Sequence, residues 1–132
     1  MAAQNTYDVI VIGIGSMGSS ACWTLANRGI KVLGLEQFHL AHENGSHTGQ
    51  TRIIRKAYFE HPDYVPLLER AYANWRSFEH ETKTKIYQQT GIVYMGSPDN
   101  SNLKGILRAS SLYNIPVETL SDEQARRQFP MF

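Results

Sequence analysis

The run Val9-Ile10-Val11-Ile12 leads directly into Gly13-x-Gly15-x-x-Gly18, and this junction restricts the folding of the chain more than any other part of it. Tyr7 to Ile12 is apolar apart from Asp8 and largely β-branched, which predicts a strand buried on both faces of a parallel sheet. Ser16 to Arg28 then reads as a helix, with Met17, Ala21, Leu25 and Ala26 on one side and Gly29 just past its end. Val32 to Leu35 reads as a second strand. It closes a βαβ unit that ends on an acid, Glu36, 18 positions after Gly18.

Each residue type in the junction has a mechanical use. Gly13 permits the tight turn out of the strand, Gly15 lets the backbone approach a pyrophosphate, and Gly18 lets helix and strand pack closely. The helix start turns unpaired N–H groups and the positive end of its dipole toward phosphates. Glu36, at the end of the second strand, is placed to accept hydrogen bonds from ribose hydroxyls. Its charge would repel a 2′-phosphate, so NADP is disfavoured. The motif does not separate NAD from FAD, and a glycine-punctuated turn with no ligand is the plain alternative.

The rest of the composition narrows the class. At 132 residues the chain is about one domain long, and its 42% hydrophobic content is ample for a packed core. A complete dinucleotide fold would nevertheless need more parallel strands than the sequence offers. A formal net charge of +1 gives no electrostatic reason to invoke nucleic acid or an anionic membrane. No apolar run reaches the length of a spanning helix, and the start carries no secretory pattern, so a cytoplasmic or other intracellular location is expected. The single Cys22 lies within the first helix, where a small packed residue is the simpler reading than a reactive thiol.

Beyond Glu36 the pattern changes. Gln37 to Gln50 holds three histidines, two glycines, Asn44 and Ser46 without apolar periodicity, and is a loop by composition. Thr51 to Tyr58 is compatible with a strand or a helix start. Pro62 to Glu81 is predicted helical, with Leu68, Tyr72, Trp75 and Phe78 on one stripe and Pro66 a reason to delay its start. Lys85 to Gln89 and Ile92 to Met95 suggest a hairpin around Thr90-Gly91. Asn102 to Tyr113 reads as a helix, Val117 to Leu120 as a strand, and Ser121-x-x-Gln124 as a capping box opening a last short helix.

The segment Gly45 to Arg55, Gly-Ser-His-Thr-Gly-Gln-Thr-Arg-Ile-Ile-Arg, is less ordinary. Arg52 and Arg55 would share a direction on a helical turn and oppose each other on a strand. Either arrangement serves a flavin site: one guanidinium beside the ring favours the anionic reduced flavin, and a second grips a substrate carboxylate with two hydrogen bonds. On spacing alone, a solvated basic patch or an ion pair with acids elsewhere is the simpler explanation of the segment.

Taken together, the glycine motif, Glu36-Gln37-Phe38, Gly45-Ser46-His47, Thr51-Arg52-Ile53-Ile54-Arg55 and Tyr64-Val65-Pro66-Leu67 resemble the amino-terminal part of the monomeric sarcosine oxidase family, which includes N-methyltryptophan and pipecolate oxidases. The resemblance extends through the Thr90-Gly91 region to Arg127-x-Phe129-Pro130. It implies an α/β, Rossmann-like FAD-binding domain, the amino-terminal portion of a two-domain flavin amine oxidase. Residues 1–132 would be an incomplete FAD-binding portion, with the substrate domain largely outside this chain. Members oxidise the C–N bond of a secondary amine such as sarcosine by hydride-equivalent transfer to FAD, and dioxygen is reduced to hydrogen peroxide.

By the same resemblance, Gly13, Ile14, Gly15, Ser16, Met17 and Gly18 would hold the pyrophosphate, and Glu36 and Gln37 the adenosine ribose. Gly45, Ser46, His47 and Thr51 would line the flavin, Arg52 would stand at its reactive edge as the catalytic arginine, and Arg55 would bind the substrate carboxylate. His47-Thr48-Gly49-Gln50 stands where many relatives have His-His-Gly-Asp. The cysteine that attaches the flavin is expected outside this chain, Cys22 having the wrong position. No metal is implied. The partners are a small amino acid substrate, oxygen and the remainder of the same polypeptide, and a peroxisomal location is compatible. Two rival classes remain: a Rossmann-type NAD-dependent dehydrogenase, and a non-catalytic nucleotide-binding module.

Overall fold

A computed structural model of the chain describes residues 6–131, which form an α/β arrangement of two strands and four helices. They divide into two compact units, one ending at Ile53 and the next beginning at Ile54.

The first unit is the expected βαβ element. Strand β1 (Val9–Ile12) and strand β2 (Val32–Leu35) pair in parallel, with Val9 opposite Val32 and Ile12 opposite Leu35, joined through helix α1 (Ser16–Asn27). Asp8 ties the strand entrance: its carboxylate accepts the Lys31 N–H at 2.9 Å, and its own N–H donates to the Lys31 carbonyl at 2.8 Å. After α1 the chain turns at Gly29, whose N–H reaches the Ala26 carbonyl, while that of Ile30 reaches Leu25.

Two expectations for this unit need correction. The β1 strand is not covered on both faces by the described residues, because α1 lies against one face only and Ile10 and Ile12 on the other are 57% and 85% exposed. Nor does Met17 join the packed side of α1. It is exposed, as are Ala21 and Ala26, and the side toward the sheet runs through Gly18, Cys22 and Leu25. The close approach at Gly18 selects this face, since only a residue without a side chain fits where the helix meets the Gly13 carbonyl. Cys22 packs beside Gly34 of β2, in line with the structural reading of that residue.

The second unit is helical. Helix α2 (Tyr64–Thr82) is entered through turns in which Tyr64 and Val65 donate to the carbonyls of His61 and Pro62. Pro66 does not delay it, because Pro66 falls in the first turn, where a missing N–H costs no helical hydrogen bond. Of the predicted stripe, Leu68, Tyr72 and Phe78 are half-buried and Trp75 is exposed. Helix α3 (Ser101–Tyr113) starts on Asn100, whose side chain accepts from the N–H groups of Asn102 and Leu103, and helix α4 (Asp122–Gln128) starts on the expected Ser121–Gln124 capping box. A small core of Val65, Ala109 and Ile115 gathers α2, α3 and the turn after α3, with Ala57 and Tyr113 against it. Despite the ample apolar content, the buried hydrophobics among the described residues are those three and Ile106.

Three further expectations differ from the structure. Lys85 to Met95 is not a hairpin, because the N–H groups of Ile86 and Tyr87 are taken by the Glu79 carboxylate at 2.7 and 2.6 Å rather than by a facing strand. Val117 to Leu120 forms no regular element and has no pairing strand among the described residues, and a strand exists only through its ladder. Thr51 to Tyr58 is neither strand nor helix. Side chains take its carbonyls, the Tyr72 hydroxyl donating to Ile54 and the Arg52 guanidinium to Thr51.

Candidate functional site

The first unit brings its chemistry to the carboxyl end of the two strands, the edge where open parallel sheets receive ligands. Gly13 leaves β1 with φ +86°, a backbone region that other residues rarely enter, and its N–H bonds the Leu35 carbonyl of β2 at 2.8 Å. The loop is thereby fastened to the end of the neighbouring strand. Gly15 then serves as the helix N-cap without a side chain of its own, so nothing on that residue covers the first-turn N–H groups of Ser16, Met17 and Gly18. The hydroxyls of Ser19 and Ser20 turn inward to the Ser16 carbonyl and offer no substitute cap.

Glu36 is the organising group. One carboxylate oxygen accepts the Ile14 N–H at 2.8 Å, across 22 positions of sequence, and the other accepts those of Gln37 at 2.8 Å and Phe38 at 3.3 Å. The Ile14 N–H contributes most to holding this carboxyl below the usual carboxylate range, the Gln37, Phe38 and His42 contacts adding to it and partial desolvation opposing it. The group is an anion at neutral pH. Its charge faces the glycine loop, which suits hydroxyl donors and opposes a second anion at the same point.

The loop after β2 folds back on this edge. The His47 ring lies beside Gly15 and Gly45, its Cε1 3.6 Å from where a Gly15 side chain would begin and 3.0 Å from the corresponding point at Gly45. So Gly13, Ile14, Gly15, Ser16, Met17, Gly18, Glu36, Gln37, Gly45 and His47 are brought together, and Ser46 is carried exposed between the last two. Thr51 and Arg52 are not gathered with them. The Arg52 guanidinium folds onto its own loop, against Gly49 and onto the Thr51 carbonyl at 2.7 Å.

Arg55 belongs to the second unit. Its guanidinium lies 4.7 Å from the Phe59 ring centre and 5.2 Å from that of Tyr58, with the exposed Glu60 carboxylate at 4.0 Å. The ion-pair reading of this segment therefore holds in part for Arg55, through a long contact, while the arginine's planar face is held by aromatic rings. Among the described residues no cluster of three or more His, Cys, Asp or Glu is placed to bind a metal, and no helix is long and apolar enough to cross a membrane.

Sequence reasoning did not single out His42. Its ring nitrogen Nε2 stands 3.5 Å from the Glu36 carboxylate, and its Nδ1 accepts the Asn44 N–H at 3.1 Å. The available signal was weak: three histidines in one loop, with nothing in their spacing to tell them apart.

Residues 8–132 match the family described as DAO, FAD dependent oxidoreductase. A monomeric sarcosine oxidase of Streptomyces avermitilis is 46% identical over 125 residues, an alignment covering 95% of this chain and 33% of the relative. N-methyl-L-tryptophan oxidases of Yersinia pestis and Yersinia pseudotuberculosis are 43% identical over 127 residues, covering 96% of this chain and 34% of each relative. The chain thus spans about a third of the length of the relatives it matches. The family description favours FAD over the nicotinamide alternative that the glycine motif left open. On the match across residues 8–132, the chain belongs to the DAO family of FAD dependent oxidoreductases.

Proposed function

We propose that this chain supplies the nucleotide-binding portion of a Rossmann-type flavin amine oxidase acting on a carboxylated secondary amine, such as sarcosine or another N-methyl or cyclic amino acid. The observation that carries the reading is the tie between Glu36 and the Ile14 N–H, because it puts an ionised ribose acceptor beside an uncapped helix start. The pyrophosphate would lie against the N–H groups of Ser16, Met17 and Gly18, and the ribose hydroxyls would reach Glu36 by sharing its oxygens with the longer Phe38 contact. Bound FAD supplies the two-electron acceptor for C–N oxidation, with dioxygen as the final oxidant and hydrogen peroxide as its product. Gly45, Ser46 and His47, with Thr51 from the loop beyond them, would line the flavin, and any attachment cysteine would lie outside this chain.

The two arginines divide the remaining work. Arg55, braced on Phe59 and Tyr58, pairs with the substrate carboxylate. Arg52, which here bonds the Thr51 carbonyl, would turn to the reactive edge of bound flavin and stabilise the negative charge that develops during reduction. The alignment covers about a third of each relative, so the substrate domain would belong to sequence beyond the matched part.

Stopped-flow reduction of the full-length enzyme by a carboxylated amine tests this division. Arg55→Ala should raise KM about ten- to a hundredfold, the loss of a charge-assisted contact of about 1.5–3 kcal/mol present equally in ground and transition states. Arg52→Ala should slow flavin reduction itself and leave KM nearly unchanged. A wild-type KM for Arg55→Ala, together with a pure binding defect for Arg52→Ala, would overturn the assignment.

A further inference from the structure

The loop between Glu36 and Asn44 is mostly exposed, yet one of its side chains is turned back and enclosed. The His42 side chain is 10% exposed and the Glu36 carboxylate beside it 17%, so water competes little for their contact. Phe38 meets the His42 ring edge-on at 4.9 Å, and His39 approaches it at 6.3 Å. The backbone turns just before this residue. Ala41 has φ +59°, in the left-handed region that an alanine enters at a cost, and the turn carries His42 toward the sheet edge.

The ring's hydrogen bonds fix its proton. Because Nδ1 accepts the Asn44 N–H, neutral His42 carries its proton on Nε2, the nitrogen facing Glu36 Oε2. That same oxygen accepts the Ile14 N–H of the glycine loop. Oε2 is thus approached from opposite ends of the site, by the Ile14 N–H at 2.8 Å and by His42 at 3.5 Å, while Gln37 and Phe38 hold Oε1.

We propose that His42 is a positioning residue for the nucleotide, holding the Glu36 carboxylate in the orientation in which it meets both the glycine loop and the ribose hydroxyls of the adenosine half of FAD. The assignment rests on the flavin reading above and adds a residue to it. Without the imidazole, Glu36 keeps its backbone donors, including the Ile14 N–H on Oε2, but loses the second group on that oxygen, and its advantage for a hydroxylated ribose falls.

The test is a fluorescence-quenching titration of flavin-free, full-length protein with two probes: FAD, and an FAD analogue whose adenosine ribose lacks both hydroxyls. The wild type should prefer FAD by about tenfold or more, the worth of charge-assisted hydrogen bonds to a carboxylate. His42→Ala should reduce that preference to about twofold while leaving affinity for the analogue unchanged, and His42→Gln, whose amide can both donate and accept, should restore most of it. Should the alanine variant fail to fold, His42→Phe keeps the ring packing against Phe38, removes both nitrogens and reads the same ratio. A wild-type preference in His42→Ala or His42→Phe, or equal losses for both probes, overturns the positioning role and leaves the flavin reading intact. A wild type that binds neither probe overturns both.

Discussion

Helix α1 and helix α4 begin in opposite ways. The start of α4 is closed by its own sequence: Ser121 Oγ accepts the Gln124 N–H at 3.3 Å, the Gln124 side chain accepts the Ser121 N–H at 2.8 Å, and Asp122 and Glu123 add negative charge to the first turn. The start of α1 has a glycine cap, no capping side chain and no acid in its first turn. A helix end left in that condition is poorly satisfied by its own chain, and it is the one that the strand edge, Glu36 and the His47 loop surround. Local stability is complete where the chain needs nothing further, and deferred where a phosphate would complete it.

The carboxylates repeat the contrast. Glu79 closes a corner seven and eight residues downstream of itself, taking the Ile86 and Tyr87 N–H groups with Lys85 at 3.5 Å. Those two backbone bonds are also what hold its carboxyl below the usual range. Glu36 uses the same chemistry across 22 positions and beside an open helix start. One device thus serves a local turn in the second unit and a binding edge in the first.

Three substitutions sharpen or break this contrast. The largest effect belongs to Gly18→Ala, because its added methyl would meet the Gly13 carbonyl and force helix from loop. Full-length Gly18→Ala should lose about 1–3 kcal/mol of stability together with its flavin, read by thermal unfolding and visible absorbance. A variant as stable and as yellow as wild type would mean that α1 has slack at its start. Gly15→Val comes next and should separate fold from ligand. Gly15 sits at φ −72° with its first side-chain atom in ordinary contact distance of His47, so the change should remove FAD from the purified protein while the flavin-free Tm moves little. Unchanged flavin content would sink the pyrophosphate assignment. The smallest effect is Ser121→Ala, which should cost about 1 kcal/mol of stability with no change in flavin content. A loss of flavin there would show that α4 is not the purely structural helix described above.

Legibility followed the range of the forces involved. Gly29 at the end of α1 and the capping box of α4 were readable because each is decided by neighbours in sequence, and the βαβ unit because its apolar runs and glycine spacing mark each element locally although its strands pair across 23 positions. The hairpin at Thr90-Gly91 was misread because apolar residues around a glycine do not reveal that Glu79 holds the facing N–H groups. The packed side of α1 was misread for a related reason. Periodicity favoured Met17, but the tightest contact falls at Gly18, where a missing side chain rather than an apolar one is the packing element. At the site, the glycines and Glu36 were legible from type and spacing. The Ile14 bond and the His42 brace were not, since both are long-range geometry imposed on residues of ordinary local character.

The Glu36–Ile14 bond bears on attempts to redesign cofactor preference. In dinucleotide folds the acid at the end of the second strand is the obvious position to exchange when a phosphorylated ribose is wanted, because its charge excludes the 2′-phosphate. Here the same carboxylate is the hydrogen-bond partner of the phosphate loop. Replacing it with a neutral or basic residue would relax specificity for the sugar and at the same time orphan the Ile14 N–H, loosening the segment that grips the pyrophosphate. On the proposed assignment, sugar recognition and phosphate grip would form one module in this chain, and a cofactor swap that changes residue 36 must also supply a new acceptor for residue 14.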